Sequence, residues 1–248
     1  MKALSLFQEK PLVWAHRGGC ALAAENTLHT MRLARQAGAD GCEIDVQLTR
    51  DGAVIALHDL NLLRTTNACM LPAFANNRPA LPWRFTLAEI KTLSAGIFPH
   101  RSCPRASVER SWHHRSENMP ENVAKDMRVP TLTEVLQLMA ELGMWLNIEI
   151  KDLSRAKPTL SKVLVEKVLE IVATEGMEDQ VVISSFNHEY LRRSKELKPH
   201  VLTGALTPHR FQDDPVTAVR AAQADAWHPG VRFLGREAVQ QAREAGIA

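Results

Sequence analysis

No stretch of this 248-residue chain stays apolar for the length of a membrane span, so stable membrane insertion is not expected. An excess of one charge is missing too. Thirty Lys and Arg against 28 Asp and Glu leave a formal net charge of +2, which gives no basic field of the kind that draws nucleic acid. Aromatic residues make up 5%, with a single tyrosine, too few to build platforms that stack unpaired bases. The four cysteines, Cys20, Cys42, Cys69 and Cys103, lie far apart and form no C-x-x-C. That spacing fits reduced thiols in a cytoplasmic protein better than a disulfide frame or a zinc site. The first residues, Met1 to Phe7, meet Gln8, Glu9 and Lys10 before any sustained apolar core and lack a small-residue cleavage site, so they make a poor signal peptide. No G-x-S-x-G and no P-loop occur, which leaves serine hydrolase and NTPase readings without support.

What is present is an ordinary globular composition, 45% hydrophobic and 23% charged, in a chain long enough for one large core. A single domain over 1–248 is the expectation.

The segment Cys42 to Leu48 alternates apolar and polar residues and predicts a strand. Cys42, Ile44, Val46 and Leu48 fall on one face; Glu43, Asp45 and Gln47 fall on the other. Two neighbouring carboxylates repel each other. Either solvent screens them at a strand edge or a divalent cation joins them. Before this segment, Leu12 to Ala15 predicts a short buried strand stopped by His16-Arg17-Gly18-Gly19. A helix then opens at Glu25-Asn26-Thr27, with Asn26 or Thr27 as its cap, and closes at Gly38. After the turn Arg50-Asp51-Gly52, Val54 to Leu57 predicts another strand, ending in His58-Asp59.

Residues 60–128 differ in kind. They carry six prolines and a basic, histidine-rich piece near Arg110 to Arg115, and predict an insertion with little regular structure beyond a short helix near Leu87 to Leu93. Alternation resumes at Thr131, where Thr131 and Glu134 form a capping box ahead of a helix through Leu142. Strands follow at Trp145 to Lys151, Val181 to Ser185, Val201 to Leu206 and, more weakly, Ala226 to His228. Helices are expected at about Leu160 to Glu175, Glu189 to Leu197, Val216 to Ala222 and Arg236 to Ala245. Repeated βα units with apolar strands predict an α/β fold, a parallel sheet wrapped by helices, and their number favours a (β/α) barrel. The chain reaches Gly246-Ile247-Ala248 where the next strand would begin, so the expected barrel lacks its closing strands. Open strand edges invite pairing, and self-association into a homo-oligomer is an expectation of that state.

Barrel chemistry sits at the C-terminal ends of strands. There the sequence places His16 and Arg17, Glu43 and Asp45, His58, and the Glu149 and Lys151 of the alternating run Asn147-Ile148-Glu149-Ile150-Lys151. Parallel strands are normally almost continuously apolar, so acids in two of them require a common partner. Three carboxylates suit Ca²⁺ or Mg²⁺, two histidines suit acid–base chemistry near neutral pH, and Arg17 and Lys151 suit a phosphate. Together they fit metal-assisted cleavage of a phosphodiester.

The motifs His16-Arg17-Gly18, Glu25-Asn26-Thr27, Glu43-Ile44-Asp45, Thr49-Arg50-Asp51-Gly52, His58-Asp59, Arg64-Thr65-Thr66-Asn67, Asn147-Ile148-Glu149-Ile150-Lys151 and Ser184-Ser185-Phe186-Asn187 resemble, in kind and order, those of the glycerophosphodiester phosphodiesterases. The resemblance implies a TIM-barrel fold with an inserted segment after the His-Asp motif. It implies Glu43, Asp45 and Glu149 as ligands of a divalent cation, His16 and His58 as general acid and base, and Arg17 and Lys151 as phosphate holders. The implied substrate is a small-molecule glycerophosphodiester, cleaved to sn-glycerol 3-phosphate and an alcohol. Ala24 and Ala68 stand where the family often has Pro and Gly, and the family's closing V-W-T-V-N-like and I-x-T-D-like segments have no counterpart. Two rival readings stand beside this one. The chain could be an inactive barrel remnant acting as a binding module, or it could act on lysophospholipids in a phospholipase D-like reaction.

Overall fold

The computed structural model describes residues 11–95, 120–153, 155–208, 214–231 and 234–248. The chain forms two compact units, Val13–Met144 and Trp145–Ala248.

In the first unit, strand β1 (Trp14–Ala15) pairs in parallel with β2 (Gly41–Leu48), Ala15 opposite Cys42. The helix Leu28–Gln36 connects them, buries Met31 and Ala34, and starts where the Thr27 hydroxyl accepts the Thr30 N–H. Gly38 leaves it at φ +90°, a conformation that favours glycine. Along β2 both faces are buried, Glu43 alone being half-buried. A solvated acidic edge is thereby excluded for Asp45, which is 1% exposed.

The strand β3 (Val54–Ala56) corrects one expectation. It is no further parallel strand: it folds back on β2 antiparallel, with Val46 opposite Ala56 and Leu48 opposite Val54. The turn that makes this hairpin is tied locally. The Thr49 hydroxyl donates to Asp51 at 2.6 Å and accepts the Ala53 N–H at 2.9 Å, while Gly52 sits at φ +79°.

The segment that follows corrects another. The expected short helix is there at Leu87–Ile90, but where little other regular structure was expected the described residues also hold helical turns at Asn67–Met70, Pro72–Ala75, Pro82–Arg84 and Glu121–Asp126. Pieces this short do not persist alone. They persist because Leu62, Phe74, Ala80, Phe85, Ile90 and Leu93 close a core with Ile55 and Leu57, in which the Phe74 and Phe85 ring centroids lie 4.4 Å apart. Each large buried side chain contributes about 1.5–3 kcal/mol, enough in sum to order a proline-rich chain. Prolines made the segment look irregular, and the spacing of its apolar residues matches no helical or strand period. The basic piece from Arg101 to Arg115, with Cys103, lies outside the described residues. The expected capping box is present, the Thr131 hydroxyl and Glu134 carboxylate each accepting the other's backbone N–H at the start of the helix Leu132–Leu142.

In the second unit, β4 (Trp145–Ile150), β5 (Val181–Ser185), β6 (Leu202–Leu206) and β7 (Ala226–His228) pair in parallel in that order. The helices Pro158–Thr174, His188–Leu197, Pro215–Ala222 and Arg236–Glu244 alternate with them, as the βα pattern predicts. Trp227 N–H donates to Ala248 O at 2.9 Å and Ala248 N–H to Asp225 O at 3.1 Å. That is one rung of parallel pairing beyond β7. Among the described residues no helix is long and apolar enough to cross a membrane.

The register fixes one close approach. Glu149, Ser184 and Gly204 share a rung across β4, β5 and β6, and the His228 ring lies over Gly204, where an added Cβ would come within 2.4 Å of the ring. Gly204→Ala must therefore push His228 off the sheet face. It is expected to cost about 1–3 kcal/mol, a fall of roughly 2–12 °C in melting temperature. Adding His228→Ala should recover part of that loss; equal losses with and without the ring would show the contact to be unimportant.

Candidate active site

The hairpin of the first unit sets the site. Because Ala15 pairs with Cys42, the residues that follow β1 come level with Glu43. His16 to Gly18 make a tight turn in which Arg17, Gly18 and Gly19 all have positive φ, +51°, +73° and +110°. Arg17 holds this strained form because its N–H donates to Glu43 Oε2 at 2.7 Å and its carbonyl accepts Asn26 N–H at 2.8 Å. Gly18 is needed for space as well, since a Cβ there would meet Met31 Cγ at 3.0 Å. His16 Nε2 lies 4.0 Å from the same Glu43 oxygen, and the imidazole is 66% exposed. Partial burial and then the Arg17 charge lower its pKa, with Asp45 opposing them.

The antiparallel register returns His58 towards the same level. Leu57 N–H donates to Asp45 O at 2.8 Å, and the Gln47 amide donates to Leu57 O at 2.8 Å and Asp59 O at 2.6 Å, clamping the backbone on both sides of His58. Asp45 Oδ2 accepts from the Asn26 amide at 2.9 Å. His58 Nδ1 lies 2.8 Å from Asp59 Oδ1. Behind it Arg64 donates to Asp59 at 2.6 and 2.9 Å and to Glu25 at 2.6 and 2.8 Å, while Arg17 reaches Glu25 at 3.2 Å. Burial alone would raise the Asp59 carboxyl; the His58 and Arg64 hydrogen bonds outweigh it and hold the carboxyl well below the usual carboxylate range. The guanidinium of Arg64 is in turn raised, first by its hydrogen bonds to Glu25.

In the second unit, β4 places Asn147, Glu149 and Lys151 on one face, and Lys151 Nζ pairs with Glu149 Oε1 at 2.5 Å. Both side chains are largely buried, at 15% and 12% exposure. Ser184, beside Glu149 in the ladder, is fully buried. Cys42 is no reactive thiol, since burial pushes it up to about 12. Cys20, Cys42 and Cys69 are thiols rather than halves of disulfides.

His16, Arg17, Glu43, Asp45 and His58 thus sit in the first unit on one turn and one hairpin, and Glu149 with Lys151 on one strand of the second. Glu25, Asn26, Gln47, Asp59 and Arg64, to which the sequence assigns no role, hold the first unit's groups in place. Their signal was available: four of the five lie in the Glu-Asn-Thr, His-Asp and Arg-Thr-Thr-Asn motifs, and Gln47 continues the polar face of β2.

Fold and polar residues define an α/β enzyme of the TIM-barrel class. Its polar groups are carboxylates, histidines and cations, the set that suits a phosphate ester. The family model for the glycerophosphoryl diester phosphodiesterases matches residues 16–248, and the chain belongs to that family. It is 34% identical over 238 residues to a glycerophosphodiester phosphodiesterase of Caldanaerobacter subterraneus, covering 96% of this chain and 83% of that one. Among solved structures it is similar to an Oleispira antarctica phosphodiesterase in complex with the product sn-glycerol-3-phosphate (TM-score 0.73, 28% identity, 99% of this chain and 84% of that one). It shares its fold with a crystal structure from Silicibacter pomeroyi assigned to the glycerophosphoryl diester phosphodiesterases (TM-score 0.79, 24% identity, 99% and 84% covered). The inactive-remnant reading gives way to an enzyme, a phosphoric diester hydrolase.

Proposed function

We propose that the enzyme hydrolyses a glycerophosphodiester to sn-glycerol 3-phosphate and a free alcohol, using a divalent cation and two histidines. The observation that carries the reading is the hairpin β2–β3. It sets Glu43 and Asp45 on one strand face and returns His58 alongside through the Leu57–Asp45 bond, while the parallel pairing of β1 with β2 leaves His16 4.0 Å from Glu43. The residues fit the ion. Asp45 is a carboxylate at 1% exposure beside a second carboxylate, an arrangement that repels itself and that a hard cation relieves. Glu43, Asp45 and Glu149 would hold it, and Ca²⁺ and Mg²⁺ both suit an all-oxygen set.

When bound, such an ion lowers the pKa of an attacking oxygen and offsets negative charge on the phosphoryl group. The chain's own residues do the rest. Arg17 and Lys151 bind and orient the phosphate. Of His16 and His58, one accepts the proton of the attacking oxygen and the other protonates the leaving alkoxide. The product bound to the Oleispira relative and the name of the Caldanaerobacter relative support this substrate class. The proposal takes 1–248 as one barrel domain in the cytoplasm, a setting that the wide spacing of the four cysteines suits.

Glycerol 3-phosphate release from glycerophosphocholine is expected with Mg²⁺ or Ca²⁺ and not after chelation, and Glu43→Gln should lower it by about 10²-fold or more. Activity that persists in chelator, or full activity in Glu43→Gln, would overturn the metal-assisted mechanism.

A further inference from the structure

We infer that Arg64 and Asp59 are positioning residues for His58: Arg64, anchored on Glu25, locks the Asp59 carboxylate, and that carboxylate fixes which imidazole nitrogen faces the substrate. The inference rests on His58 as acid or base. Its geometric support lies wholly within the first unit. The two edges of the Arg64 guanidinium are both used in pairs, Nε and Nη2 on Asp59 at 2.6 and 2.9 Å, Nη1 and Nη2 on Glu25 at 2.8 and 2.6 Å. Four donors in one plane leave Asp59 no freedom to rotate, which a lysine's single ammonium cannot reproduce. Glu25 is held in turn, being 7% exposed and taking a further bond from Arg17.

Asp59 is ionised in this setting and so can only accept. The 2.8 Å contact with His58 Nδ1 therefore requires the proton on Nδ1. Nε2, on the opposite side of the ring, keeps its lone pair in the neutral imidazole and points away from the carboxylate. That is the form a general base needs, and once protonated the same nitrogen is the one that donates. The Gln47 clamp on the carbonyls of Leu57 and Asp59 fixes the backbone, but it cannot choose the ring nitrogen; Asp59 and Arg64 do.

The test is a double-mutant cycle with glycerophosphocholine and saturating Mg²⁺, following kcat, KM and thermal melting. Asp59→Asn keeps the shape and can present its amide to Nδ1, favouring the wrong tautomer. It is expected to lower kcat by about 10²-fold with KM changed less than about threefold. Arg64→Lys, which keeps the charge and loses the fork, should lower kcat by roughly tenfold. In a His58→Ala background Asp59→Asn should cost nothing more, because there is no ring left to orient. If Asp59→Asn costs the same factor in both backgrounds, its role is structural and the inference is overturned, with the acid–base reading intact. If His58→Ala itself retains full activity, the acid–base reading falls and the inference with it.

Discussion

Replacing His16 with alanine is expected to lower kcat by about 10²–10⁴-fold while moving the melting temperature by less than about 2 °C. The two halves of that expectation come from separate observations. The imidazole is 66% exposed, and its nearest carboxylate, Glu43, is 4.0 Å away, so the fold gains little from the side chain. Exposed substitutions of this kind change stability by about ±0.5 kcal/mol. Its position, in contrast, is tightly specified: the three positive-φ residues Arg17 to Gly19 and the Arg17 N–H bond to Glu43 hold the turn that carries it. Strained backbone that places an exposed side chain is the pattern expected of a residue with a chemical role, and it is the basis of the expected loss in kcat. Steady-state kinetics and a thermal melt on the same preparation check both halves. A large melting loss would make His16 a structural residue, and unchanged kcat would remove it from the reaction.

Replacing Glu25 with alanine is expected to do the reverse and fall mainly on stability. Its side chain is 6% exposed and accepts from Arg64 twice and from Arg17. Deleting it leaves two guanidinium groups facing each other across a buried space, and removing one partner from a buried ion pair costs about 3–5 kcal/mol. Arg64 and Arg17 retain 30% and 21% exposure, so water recovers part of the lost solvation and the lower end applies, about 3 kcal/mol. For a chain of this size that lowers the melting temperature by roughly 6–12 °C. Glu25→Gln, which keeps the volume and two acceptor lone pairs, should lose less. Equal melting points for the wild type and Glu25→Ala would show that the network contributes nothing to folding.

These two residues also mark how much of the site the sequence discloses. His16 was legible because it ends a short apolar run, in the His16-Arg17-Gly18 motif, and joins acids and a second histidine at other strand ends; a strand-end histidine alone is more often a hydrogen-bonded loop residue. Glu25 was visible as the start of a helix and as part of the Glu-Asn-Thr motif, but with no role attached: the helix itself begins at Leu28 behind Thr27, and the Glu25 side chain turns to Arg64, 39 residues away. Arg64 likewise lies in a segment that looked irregular. No periodic pattern encodes a bond between two residues in turns, since the contact depends on how the hairpin and the packed segment after it meet. Gln47 was placed on the polar face of its strand, but its use as a backbone clamp needs the antiparallel return of β3.

The sequence by itself determined the βα alternation, the helix cap at Thr131, the acidic face of β2 and that of β4, and the chemical kinds of the reactive groups, and it narrowed the first helix cap to Asn26 or Thr27. Those features follow from local rules: side-chain period, capping geometry and the choice of oxygen, nitrogen or guanidinium donors. The tertiary structure alone decided that β3 runs antiparallel, that the proline-rich segment packs a core against Ile55 and Leu57, and that Asp45 is buried beyond the reach of solvent. It alone disclosed the chain of hydrogen bonds from Glu25 through Arg64 and Asp59 to His58. Such features depend on contacts between residues distant in the chain, and a carboxylate on a strand reads the same in sequence whether water or a guanidinium lies beside it.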